Sequence, residues 1–73
     1  MATCKQKFSL TLRAHLEKRY DDWVPQANML ARLFNIRCDE KDAIMDVAMQ
    51  GWLDGEIEPT EDQLRTLKAW LGI

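Results

Sequence analysis

The chain has 73 residues, of which 47% are hydrophobic, with three glycines, two prolines and a formal net charge of −2. This length predicts one domain with a small core, and the composition is typical of a folded chain rather than a disordered one. No apolar run approaches the roughly 18 residues that a membrane span requires, and the N-terminus has no signal-peptide pattern. We therefore expect a soluble, cytoplasmic protein.

The charge is divided unevenly along the chain. Residues 1–37 carry seven basic and three acidic side chains, whereas residues 38–73 carry three basic and nine acidic ones. The chain is therefore an electrostatic dipole in sequence, and this property limits which partners it can bind.

The reactive residue types indicate no catalytic or metal chemistry. Cys4 and Cys38 are too few for a disulfide framework, and with one histidine they make a poor metal set. We expect Cys38 to be a free, partly buried thiol. Ser9 and His15 are six residues apart on one predicted helix, so they do not share a face. No Ser–His–acid set or phosphate-binding glycine loop is present, and we expect neither an enzyme nor a cofactor.

The first two helices are predicted from caps and apolar spacing. Residues 1–7 read as a flexible basic tail before a single domain, 8–73, whose first helix begins at the N-cap Ser9 and ends near Tyr20. Its inner stripe consists of Phe8, Leu12, Leu16 and Tyr20. Trp23 is expected in the core.

Pro25 suits the first turn of a second helix, because a proline there loses no hydrogen bond. The apolar face of this helix consists of Met29, Leu30, Leu33 and Phe34. Asn35 is expected to end the helix in a left-handed conformation, and Ile36 is expected to turn back to the core.

The third helix is predicted to begin at Asp39, where acidic residues of the first turn complement the helix dipole. Its buried face is expected to consist of Ile44, Val47 and Ala48, with Met45 and Met49 on either side. Gly51 is expected to loosen or kink its end, and Gly55 to cap it in a left-handed conformation.

The last helix follows a capping box in which Thr60 is the N-cap and Gln63 reaches back to it. Its apolar stripe consists of Leu64, Leu67, Trp70 and Leu71. No segment alternates with period two, so the predicted fold is all-α, a compact bundle of four to five short helices.

Two stretches of the sequence resemble a known family. The first is Trp52-Leu-Asp-Gly55-x-x-x-Pro59, continued by leucines at 64, 67 and 71 and by Ile73; the second is Leu30-Ala31-x-x-Phe34-Asn35-Ile36. In their order and spacing they resemble phage-repressor-like helix-turn-helix domains of the Cro and lambda-repressor type. The resemblance covers most of residues 8–73 and implies a lambda-repressor-like helix-turn-helix fold.

The chain departs from the family pattern between Ala31 and Trp52, where it is longer by about two helical turns. The extra residues fall where the recognition helix begins, and in this family the start of that helix meets base edges in the major groove. Here that stretch contains Asp39, Glu40 and Asp42. Carboxylates in this position repel the phosphate backbone, so we do not transfer the base-reading residues of the family to this chain.

The favoured function is a small transcription regulator that acts mainly by protein contact, with RNA polymerase or an associated factor as the partner. Small phage proteins that redirect host RNA polymerase are comparable in size and character. Two charged faces are the alternatives for this contact. The basic side chains Lys5, Lys7, Arg13, Arg32 and Arg37 would pair with an acidic surface, or the acidic side chains Asp39, Glu40, Asp42 and Asp46 would pair with a basic one. Charge of this kind speeds encounter and sets orientation, while an exposed Met or Trp supplies affinity.

The alternative is a Cro-like, sequence-specific DNA-binding regulator. Phosphate contacts would then come from Arg32, Arg37 and Lys41. Trp70, Leu71 and Ile73 are open to two interpretations, a dimer surface or the end of the core, and in so short a chain we favour the core. We therefore expect a monomer or a weak dimer.

Overall fold

The structure is a computed structural model and describes residues 3–73. Four α-helices follow one another: α1 (Cys4–Arg19), α2 (Ala27–Asn35), α3 (Asp46–Asp54) and α4 (Glu61–Leu71), with a short 3₁₀ helix (Glu40–Asp42) between α2 and α3. No strand occurs within residues 3–73. The predicted all-α bundle of short helices is confirmed.

The first helix begins earlier than predicted. Thr3 caps α1 and Gln6 closes a capping box with it, so residues 4–7 form the first turn of α1 rather than a flexible tail. Residues 1–2 of the predicted tail lie outside the described residues. Ser9, the predicted N-cap, is buried within α1 instead, and its hydroxyl donates to the carbonyl oxygen of Leu53.

Trp52 of α3 is at the centre of the core. Its ring meets Phe34 of α2 edge to face, with 5.3 Å between centroids, and Phe8 of α1 at 6.4 Å. α3 therefore packs against both α1 and α2, and α4 packs against α1. The buried core consists of Leu12, Leu16, Leu30, Ala31, Phe34, Met49, Trp52, Leu53, Leu67 and Trp70.

The predicted third helix is replaced by two shorter elements. Asp39 precedes the 3₁₀ helix, and α3 begins only at Asp46. Met49, Trp52 and Leu53 define the buried face of α3. Val47 lies two residues before Met49, a rotation of about 200° around the helix, and is 76% exposed rather than buried. Ile44 and Ala48 are half-buried.

Three further predictions around α2 are wrong. Asn35 is its last helical residue and does not have a positive φ, which among the described non-glycine residues only Asp21 and Asp22 have. Ile36 is 76% exposed. Pro25 is buried just before α2, whose N-cap is Gln26.

The end of α3 and all of α4 follow the prediction, except that α3 continues through Gly51 to Asp54 without interruption. Gly55 caps α3 with φ 75°, and the Thr60–Gln63 capping box begins α4. Leu71 and Ile73 pack against the core beside buried Trp70, in agreement with the core interpretation.

Candidate functional site

The segment from the end of α2 into the first turn of α3 is where the resemblance would place the base-reading edge. We call residues 36–47 the acidic connection, because it contains Asp39, Glu40, Asp42 and Asp46. Asn35 closes it: its side-chain amide donates to the carbonyl oxygen of Ile44 and accepts from the Ile44 N–H, both at 2.8 Å. The side-chain amide thus satisfies both the N–H and the carbonyl oxygen of Ile44, and it holds the end of α2 close to the residues just before α3.

The acidic connection exposes apolar as well as acidic side chains. Ile36, Met45 and Val47 are each 76% exposed. Asp39, Glu40 and Asp46 are exposed and Asp42 is half-buried. Aliphatic groups beside carboxylates are suited to contact with a polypeptide, which offers apolar surface, and unsuited to a phosphate backbone.

Both basic side chains of the acidic connection have partners within the chain. The Arg37 Nη1 donates to the Leu33 carbonyl oxygen at 2.6 Å, and the guanidinium lies 5.1 Å from the centre of the Trp70 ring. The Lys41 Nζ is 3.7 Å from the Asp62 Oδ2. These are two of the three cations that the DNA-binding alternative requires.

Cys38 lies inside the acidic connection as a free, half-buried cysteine, as predicted. Its Sγ is 3.8 Å from the Asn35 carbonyl oxygen. Burial raises the pKa of this thiol, and the negative charges of Asp42 and Asp39 raise it further. Its reactive thiolate form is therefore disfavoured.

The basic residues of the N-terminal half do not join this segment. Arg13 lies at the other end of α3, where its Nε donates to the Leu53 carbonyl oxygen at 2.7 Å and its Nη2 is 3.4 Å from the Asp54 Oδ1. It caps the C-terminal end of α3, and this cation complements the helix dipole. Lys5 and Lys7 are exposed on the first turns of α1, which pack against Gly55 at that same end.

A second surface was missed by the sequence interpretation. Trp23, predicted in the core, is 55% exposed, and Met29 is 47% exposed. Together with exposed Arg32 they border a groove of about 350 Å³ beside α2. We call this the Trp23 groove; it is lined by Trp23, Gln26, Asn28, Met29, Arg32 and Leu33. The available signal was Asp21-Asp22, because aspartate is one of the few residues that tolerate positive φ.

Residues 3–73 contain neither a candidate metal site nor a candidate membrane span. No group of three or more His, Cys, Asp or Glu side chains there is placed to hold a metal ion, so the aspartates of the acidic connection do not converge. In the same residues, no helix has both the length and the apolar character needed to cross a membrane.

No family model, curated protein or solved structure matches this chain. The helix-turn-helix resemblance therefore stays a prediction, and function has to be inferred from the geometry of these residues.

Proposed function

We propose that this chain is a small transcription regulator that acts mainly by protein contact, binding RNA polymerase or an associated factor to alter host transcription. One observation supports the preference for protein over DNA. The acidic connection, where the resemblance would place base reading, presents carboxylates and aliphatic side chains, and its two cations are bound within the chain.

DNA binding would act against both the cations and the carboxylates of the acidic connection. DNA carries one negative charge per about 1.7 Å of its axis, and binding depends on Lys and Arg that replace its counterions. Phosphates would compete with Asp62 for Lys41 and with the Trp70 ring for Arg37; each of these exposed contacts is worth about 1 kcal/mol or less. Asp39, Glu40 and Asp46 would meanwhile face the phosphates without a partner. A polypeptide surface imposes neither cost.

RNA polymerase is proposed as the partner on the size of the chain and its helix-turn-helix-like pattern, both of which fit a small transcription regulator. The test is capture of purified RNA polymerase by the tagged full chain, with a tagged protein of similar size and charge as the control. We expect polymerase subunits to be retained by this chain and not by the control. Absence of retention across a range of salt concentrations would contradict the proposed partner.

DNA binding is tested separately with a labelled random-sequence duplex at low salt. We expect no binding below micromolar concentration. A variant with Asp39→Asn, Glu40→Gln and Asp46→Asn provides the matched comparison, because it removes three charges without changing side-chain size. It should bind the duplex better than the natural chain. Submicromolar binding by the natural chain that falls steeply as salt rises would favour the Cro-like alternative.

A further inference from the structure

One apolar side of α2 is only partly covered by the rest of the chain. Leu30, Ala31 and Phe34 are buried on the core side. Met29 and Leu33 are four residues apart, so they lie together on another face. Met29 is 47% exposed and Leu33 is half-buried. Leu33 also packs against the core, so the accessible part of this face is mainly Met29.

The backbone before α2 holds Trp23 beside this face. Asp21 and Asp22 have φ of 54° and 65°, a left-handed conformation that few residues other than glycine, asparagine and aspartate adopt. The Asp22 N–H donates to the Glu17 carbonyl oxygen at 2.7 Å and the Trp23 N–H to that of Tyr20 at 3.2 Å. These bonds end α1 and direct the chain so that the indole lines the groove instead of entering the core.

The groove lining indicates the chemistry of its occupant. Its walls are the apolar side chains of Trp23, Met29 and Leu33, and Arg32 is the one charged residue in its lining. Within residues 3–73 the Arg32 guanidinium has no hydrogen-bond or ion-pair partner. No carboxylate lines the groove. The complementary ligand is therefore a bulky apolar group with a negative charge beside it.

A protein segment fits these requirements better than a nucleic acid. Trp and Arg together are also a stacking platform for single-stranded bases. However, Arg32 is the one cation in the groove lining, and one cation is too few to follow a phosphate backbone. An amphipathic helix satisfies both requirements, since residues three or four apart present a leucine and a glutamate on adjoining faces.

We infer that the Trp23 groove is the docking site for an acidic amphipathic helix of the protein partner, with a large apolar side chain between Trp23 and Met29 and a carboxylate on Arg32. This inference deepens the proposed function and rests on it for the identity of the partner as a protein. Aromatic and Arg side chains at the centre of an interface commonly supply most of its affinity.

The chain contains its own probe for this site. Trp52 is 1% exposed and Trp70 is 7% exposed, so acrylamide quenches mainly the fluorescence of Trp23. The ligand is a synthetic 18-residue helical peptide with a leucine stripe flanked by glutamates, and the comparison peptide has lysines in their place. We expect the glutamate peptide to shift Trp23 emission to shorter wavelength and to protect it from acrylamide, and to bind at least tenfold more tightly than the lysine peptide.

Two charge-reversal variants test whether the glutamate peptide binds at the Trp23 groove. Arg32→Glu should weaken binding of the glutamate peptide at least tenfold, whereas Lys68→Glu, an equal charge change at an exposed position of α4, should leave it unchanged. Circular dichroism of each variant checks that the fold is intact. Equal affinity for both peptides, or equal effects of the two variants, would overturn the inference.

Two other occupants give distinct results that would also overturn it. Protection of Trp23 that increases with protein concentration in the absence of peptide would show that a second copy fills the groove. Stronger protection by single-stranded DNA than by the glutamate peptide would show a base-stacking platform.

Repeating the polymerase capture with Arg32→Glu separates the two proposals. If the natural chain and Arg32→Glu retain polymerase equally, the groove inference fails and the proposed function stands. If the natural chain retains no polymerase but binds the glutamate peptide with the expected dependence on Arg32, the proposed function fails and the groove remains a docking site.

Discussion

Two tryptophans, Trp52 and Trp23, lie in opposite surroundings in this small chain. Trp52 lies in the last turn of α3 and has aromatic neighbours from two other helices, Phe8 and Phe34, so it is 1% exposed. Trp23 follows two left-handed aspartates in a connection and is 55% exposed. The comparison shows that residue type alone does not decide burial; the position relative to packed helices does. It also separates residues that maintain the fold from residues available for binding.

The largest difference in stability is expected between the alanine variants of the two tryptophans. Trp52→Ala removes the ring at the centre of the core, which costs about 3–5 kcal/mol, an amount comparable with the whole stability of a domain of this size. We expect a largely unfolded chain by circular dichroism. Trp23→Ala should change the free energy of unfolding by less than about 0.5 kcal/mol, measured in urea. Similar losses for the two variants would contradict the division between core and groove.

A smaller effect is expected at two glycines with nearly the same backbone conformation. Gly55 has φ 75° and Gly72 has φ 71°. A Cβ at Gly55 would lie 3.3 Å from the Gln6 Cα and 3.4 Å from the Ser9 Cβ, whereas a Cβ at Gly72 meets nothing within 4 Å. Gly72→Ala should therefore cost only the left-handed penalty, about 1 kcal/mol, and Gly55→Ala about 1 kcal/mol more because α1 must move.

Urea unfolding of both glycine variants gives the two free energies. If Gly55→Ala and Gly72→Ala destabilise the chain equally, α1 adapts to the added Cβ, and the contact of α1 with the end of α3 is less rigid than the geometry indicates.

Substitution of Asn35 tests whether its hydrogen bonds hold the acidic connection in a fixed conformation. Asn35→Ala removes both 2.8 Å hydrogen bonds to the Ile44 backbone and leaves a half-buried N–H and C=O without partners. We expect a loss of about 1–3 kcal/mol and faster amide hydrogen exchange at Ile44. Asn35→Asp keeps the acceptor for the Ile44 N–H but replaces the donor with a carboxylate oxygen that faces the Ile44 carbonyl oxygen, so it should lose a similar amount. Unchanged exchange at Ile44 in Asn35→Ala would show that the closure does not depend on this amide.

Asp21→Gly tests how the left-handed backbone before Trp23 affects the stability of the chain and the position of the indole. Glycine adopts positive φ without steric cost, so the variant should gain about 0.5–1 kcal/mol of stability in urea unfolding. Because the backbone is less constrained, Trp23 should be more readily quenched by acrylamide and the glutamate peptide should bind more weakly. A loss of stability would show that the Asp21 side chain contributes more than its backbone strain costs.

The smallest effect is expected at Cys38. Burial and the charges of Asp42 and Asp39 raise the pKa of this thiol above its ordinary value of 9.0. The unfolded chain therefore loses this proton at lower pH than the folded chain, so the thiol's contribution to stability is complete below the ordinary pKa and is lost as the pH rises through the folded pKa. Below that range iodoacetamide should modify exposed Cys4 faster than Cys38, as mass spectrometry of the peptides would show.

A matched variant isolates the contribution of Cys38. Cys38→Ser should show a weaker fall in stability at alkaline pH than the natural chain, and Asp42→Asn should lower the Cys38 pKa and speed its modification. Modification of Cys38 at the rate of Cys4 would show that the acidic connection opens freely.

Sequence alone correctly determined the features that depend on neighbours three or four residues away. The all-α class, the Phe8–Leu12–Leu16 stripe, the Gly55 cap and the Thr60–Gln63 capping box are of this kind, because each is a local interaction that can be recognised from spacing. The same capping-box spacing occurs at Thr3 and Gln6, so the start of α1 is also predictable from the sequence.

Tertiary structure alone decided which faces are covered and which charges are free. Val47 and Ile36 are apolar but exposed, because the faces on which they lie have no helix above them. Arg37 and Lys41 are partnered by residues of α4 that are distant in sequence, Trp70 and Asp62, so spacing within the acidic connection gave no sign of it. Local hydrogen bonds and periodicity act within a helical turn, whereas burial and ion pairing depend on how whole helices pack, and the candidate site is made of the second kind of feature.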